Sequence, residues 1–150
     1  MGYNNGIIRW TKIATLMFIG ITVVGDIFGI VITKYIALIW AGVTEIEKIS
    51  LLAVVFYLGT VGAYVVLFSL LKLLTNMSKD KVFDRQNTKL MGIITAALIG
   101  IAVVCVAGGF IWFGCWELTI VSLFMALVVM SVKVVFDKAI TMKEEMDLTI

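Results

Sequence analysis

The stretch KLLTNMSKDKVFDRQNTK, Lys72–Lys89, decides the fold, because every other region of the chain is predominantly apolar. It holds five of the twelve basic residues, Lys72, Lys79, Lys81, Arg85 and Lys89, against two acids, Asp80 and Asp84. On each side lies an apolar run too long to hide in a small soluble core. In the 150 residues, 62% are apolar and 15% charged, whereas soluble domains sit nearer half and a quarter. A globule this small has no interior for that excess, so lipid is the expected solvent.

Working outward, residues 1–12 read as a short polar arm ending in Arg9, Trp10 and Lys12. The first span is expected at about 13–33. It extends beyond a signal-peptide core, and no convincing small-x-small cleavage site follows it. Tyr35 and Trp40 read as interface anchors. Thr44 and Glu47 have capping-box spacing, so a helix start is expected near Thr44, with a second span at about 49–71. The third span is placed at about 90–113, with Asp84 or Asn87 as its cap. Gly114–Glu117 (GCWE) then reads as a tight turn with Trp112 and Trp116 at the interface. The fourth span covers about 118–136, with Lys133 snorkelling. The tail, 137–150, continues as a helix with Val135, Ala139, Met142 and Met146 on one apolar face.

Orientation follows from the basic residues. With loop 72–89 in the cytoplasm, ten of the twelve basic residues are cytoplasmic and only Lys34 and Lys48 are outside, as the positive-inside rule favours. The expected architecture is therefore all-α: an integral membrane protein forming one domain, an antiparallel four-helix transmembrane bundle in the cell membrane with both termini cytoplasmic.

Asp26 is the one ionisable residue deep in a span, and an ionised carboxylate facing lipid costs a few kcal/mol. It should therefore face the bundle. Thr11, Thr15, Thr22, Asp26, Gly29 and Thr33 form a polar and small stripe on that helix, as a buried seam requires. Gly25 and Gly29 add a GxxxG spacing. Asp26 lies roughly 10 Å below the outer edge of its span, and Tyr57 roughly 12 Å along the second. Tyr57, or Tyr64 seven residues on and one level deeper, is accordingly expected to donate to Asp26. An interhelical hydrogen bond that fixes packing, a sensing pocket and an ion-coupled transport site are all compatible with this cluster. Gly92, Ala96 and Gly100, and Gly59 with Ala63, should let helices approach closely. The run Ala107-Gly108-Gly109 weakens the third helix locally.

Other chemistry has little support. Histidine and proline are absent, and there is no phosphate loop, carboxylate pair or nucleophile–histidine set. Cys105 and Cys115, ten apart on one expected helix, would lie roughly 15 Å apart and out of disulfide range. The basic loop has one aromatic, Phe83, and alternating charge, so direct nucleic-acid binding is not expected. No enzyme activity, cofactor or metal is expected.

The segment Lys81–Leu90 (KVFDRQNTKL), after a lysine- and leucine-rich helix end, and the ending Glu144–Ile150 (EEMDLTI) resemble a family of small bacterial four-span membrane proteins, domain of unknown function twenty-nine seventy-five. Such proteins are often encoded beside a small helix-turn-helix regulator. The resemblance thus implies a non-enzymatic sensor or tether acting on a cytoplasmic transcription regulator. Docking would use the loop (Phe83, Asp84, Arg85) and the tail (Met142, Glu144, Glu145, Met146, Asp147). The alternative is a small transporter or immunity-type protein with an intramembrane site at Asp26. The bilayer is the other expected partner, and a homo-oligomer is allowed.

Overall fold

A computed structural model describes residues 2–79 and 81–149. Asp80, counted above in the loop, and Ile150, the last residue of the tail, lie outside the described residues. Within them the chain is helical and carries no strand: α1 Gly2–Ile27, α2 Gly29–Tyr35 continued by a π-helical end Ile36–Trp40, α3 Ile46–Met77, α4 Arg85–Gly109 and α5 Gly114–Thr149. The helices α1, α3, α4 and α5 are each long and apolar enough to cross a membrane. Only 6% of the most apolar stretch of α1 is buried, and 28% of that of α4. Side chains such as Phe18, Phe68, Val103, Phe124 and Leu127 point outward, an apolar coat that only lipid solvates. This is a multi-pass membrane bundle.

Several boundaries differ from the sequence reading. The polar arm is the first part of α1, and the first span is interrupted at Phe28 (φ −94°, ψ 5°). Gly42, at φ +63°, makes the turn toward α3, a left-handed conformation that glycine adopts without steric cost. The cap of α3 is Glu45 rather than Thr44, and its carboxylate pairs with Lys48 at 3.0 Å. The expected loop 72–89 shrinks to residues 78–84, because α3 runs on to Met77 and α4 starts at Arg85. Asp84 caps α4, accepting from the Gln86 amide at 2.8 Å.

The largest correction falls at α4. It stops at Gly109, the chain reverses through Phe110–Phe113, and GCWE forms the first turn of α5. Both glycines are contact points: a Cβ on Gly108 would lie 2.9 Å from Cys115 Sγ, and one on Gly109 2.7 Å from Trp116 Nε1. Trp112 packs, half-buried, against the cluster of Ala37, Leu52, Cys105 and Cys115. The two cysteines therefore sit on different helices, in one buried cluster.

Of the small residues expected to allow close approach, Gly92 lies at contact distance of α5, where an added Cβ would sit 3.6 Å from Lys133 Cε, but the tightest point is elsewhere. Between α3 and α4 the tight point is Gly62, whose Cβ would lie 2.5 Å from Ile101 Cγ1. Gly59 and Gly100 face open space, and Ala96 is exposed. A second core at the loop end joins Leu73, Leu90 and Met91 with Val129 and Phe136.

Candidate functional site

Asp26 stands on a seam of heptad spacing: Ile8, Lys12, Thr15, Ile19, Thr22, Asp26, Gly29 and Thr33 are all buried or half-buried. This row packs on α3. Thr11, placed on the stripe by the sequence reading, is exposed and donates to Ile7 O within its own helix. One residue on, Lys12 occupies the seam and its Nζ donates to Ser78 Oγ at 2.8 Å. Two tyrosines of α3 reach Asp26. Tyr64 donates to the carboxylate Oδ2 at 2.8 Å, and Tyr57 donates to the main-chain carbonyl at 3.1 Å. The other carboxylate oxygen, Oδ1, is buried with no partner among the described residues. Thr22 takes no part, since its hydroxyl donates to Phe18 O.

Local sequence explains the approach. A Cβ on Gly29 would lie 2.7 Å from Phe56 Cε1 and 2.8 Å from Tyr57 Oη, so glycine lets α3 close on the interruption at Phe28. Gly25, its GxxxG companion, faces open space. Chemically, the cluster is a carboxyl with one donor in place and one oxygen able to take another donor, a proton or a cation.

The second cluster lies at the loop end. Asn87, fully buried, donates through Nδ2 to Lys81 O (2.7 Å) and Val82 O (2.9 Å) and accepts from Asn76 Nδ2 at 2.9 Å. A short polar loop is thereby locked to both flanking helices. Arg85 forks onto Glu144, with Nη2–Oε2 at 2.6 Å and Nε–Oε1 at 3.0 Å. The Phe83 ring lies 6.0 Å from that of Phe136. The Arg85 hydrogen bonds hold the Glu144 carboxyl below its ordinary range, and Glu144 in turn raises the guanidinium.

Loop and tail thus form one surface. Beside it runs a groove of about 500 Å³, walled by Phe83, Val135, Ala139, Met142 and Met146 with Lys138 and Lys143 at its edge. The tail face that the sequence reading made apolar is therefore uncovered: Met142 and Met146 are exposed, and Ile140 is the tail residue that packs inward. Glu145 and Asp147 are exposed as well. Asp84 serves as the α4 cap rather than as a free acid. Asn76, Gln86 and Ile140 were missed by the sequence reading; single polar residues at a helix end carry no spacing signal that would pair them.

A third feature, also missed, is an apolar cavity of about 380 Å³ between α2, α3, α4 and α5, lined in part by both cysteines. Among the described residues, no three His, Cys, Asp or Glu side chains converge as a metal site.

Residues 31–150 match the family described as Protein of unknown function (DUF2975). No curated protein and no solved structure matches the chain.

Proposed function

Because the chain belongs to the DUF2975 family, whose function is unknown, we propose a role from its geometry: a non-enzymatic regulatory membrane protein that holds a cytoplasmic partner on its joined loop and tail. The bundle is antiparallel in this reading, which the pairings Lys12–Ser78, Asp26–Tyr64 and Gly29–Tyr57 support. Both termini lie in the cytoplasm, supported by the ten basic residues gathered at that end, and the membrane is the plasma membrane.

The carrying observation is the Arg85–Glu144 fork, which fixes the tail helix against the loop and leaves the Met142–Met146 groove open beside it. A groove with methionines accepts the apolar face of an amphipathic helix, and its lysine edge favours acidic residues flanking that face. With Glu144 engaged by Arg85, Glu145 and Asp147 remain to meet a basic DNA-binding domain. The partner in this reading is a transcription regulator.

The test compares wild type with Met142→Glu/Met146→Glu, solubilised in detergent from native cells. A DNA-binding protein recovered with wild type and lost with the variant is the expected result. Recovery of the same proteins from both, or of none from either, overturns it.

The unpartnered Oδ1 of Asp26 beside a helix interruption favours a second reading, a small transporter or immunity-type protein acting inside the membrane. In that case Asp26→Asn abolishes function while the groove variant is silent.

A further inference from the structure

The cavity between α2 and α5 has walls with an unusual property: its hydroxyls are already occupied. Thr33 donates to Gly29 O at 2.8 Å, Thr60 to Tyr57 O at 2.9 Å and Ser122 to Leu98 O at 2.7 Å. No charged residue lines it. An ionic ligand entering here would lose its hydration with no charged partner to replace it, a cost of several kcal/mol. A hydrocarbon loses none.

Depth and opening narrow the occupant. Along α5 the lining runs from Cys115 to Met125, and along α3 from Leu52 to Ala63. At 1.5 Å per residue each is roughly 15 Å, half of a hydrocarbon core of about 30 Å. The cavity is therefore one leaflet deep. The helices α3 and α4 close its back, whereas α2 and α5 flank it without extended packing on each other. On the α5 side its rim carries exposed Leu118, Val121 and Met125, so it opens sideways at the level of lipid tails. Its volume of about 380 Å³ falls within the range of pockets that hold small molecules, about 300–1,000 Å³. Lys34, next to lining residue Thr33, is an exposed cation at the level where a headgroup would lie.

We propose that this cavity is a seat for one acyl chain of a phospholipid, taken from the leaflet at the end of the bundle away from the loop. The site is separate from the loop–tail surface and does not depend on what binds there.

The test uses the full chain in nanodiscs containing a phospholipid with a diazirine on one acyl chain, with a diazirine-bearing alkane in a parallel arm. After irradiation, labelled positions are mapped by peptide mass spectrometry. Labelling concentrated on the inward faces of 52–63 and 115–125 by the phospholipid is expected. Gly59→Leu should reduce that labelling at least fivefold. A Cβ added there meets nothing within 4 Å and Gly59 lines the cavity, so the leucine has room to start into it, and an unchanged melting temperature verifies the fold. Uniform labelling of all outward apolar side chains, or cavity labelling that Gly59→Leu leaves intact, overturns the proposal. Cavity labelling by the alkane alone also overturns it, and identifies a free lipophile as the occupant.

Discussion

At Asp26 the arrangement is asymmetric: the side chain has one tyrosine donor, and the main chain has the other. Removing either hydroxyl therefore has a different consequence. Tyr64→Phe takes away the donor to a buried carboxyl and should cost about 1–3 kcal/mol, the range for leaving a buried polar group unsatisfied. Tyr57→Phe loses an ordinary hydrogen bond at an exposed ring and should cost about 0.5–1.5 kcal/mol. Asp26→Asn keeps an oxygen for Tyr64 in a side chain of the same shape, so it should be close to neutral. Thermal unfolding in detergent ranks the three, and a Tyr57→Phe loss exceeding that of Tyr64→Phe would reverse the assignment of the two donors. The pairing was legible because depth along two spans can be counted from sequence. Which tyrosine takes which oxygen was not, since it depends on the local path of the chain at Phe28.

Helices in this protein meet where glycine permits and stop where glycine and the facing side chain agree. Gly25 and Gly29 share one motif, but only Gly29 lies under α3. Gly29→Leu should therefore destabilise by about 1–3 kcal/mol through overpacking against Phe56 and Tyr57. Gly25→Leu should be neutral or gain up to about 1 kcal/mol from helix propensity. Equal losses in detergent unfolding would show that both glycines are packed. The same logic explains what hydropathy hid at α4. Phe110–Phe113 is apolar, so the span reads on through it, yet the helix ends at Gly109 with Trp116 folded over it. That four-residue reversal moves Cys115 to a new helix and into contact with the Cys105 cluster. Span number and the polar seam of α1 are written in periodicity. The reversal, the cysteine cluster and the cavity depend on where one helix stops.

Among the described residues, one ion pair joins segments far apart in sequence, Arg85 at the start of α4 and Glu144 near the end of α5. The α5 helix of 36 residues is roughly 54 Å long and exceeds a hydrocarbon core of about 30 Å, so its last turns leave the membrane and need an attachment of their own. Arg85 supplies it, with Phe83 against Phe136 beside it. Because the fork lowers the Glu144 carboxyl from its ordinary value, its contribution is fully present above the unfolded-state value and disappears as pH falls through the lowered folded one. Neutral and mildly acidic solutions should therefore leave the tail attached, with release only below the usual glutamate range of about 4.3. Hydrogen exchange of amides 138–149 reads this directly: protection at about pH 6 that persists at about pH 5 and falls only in solutions more acidic than the usual glutamate range, after correction for intrinsic exchange, is expected. Arg85→Glu should remove the protection at every pH, and adding Glu144→Arg should restore it. Protection that ignores both the charge reversal and its repair would mean that Ile140 and Phe136 alone hold the tail.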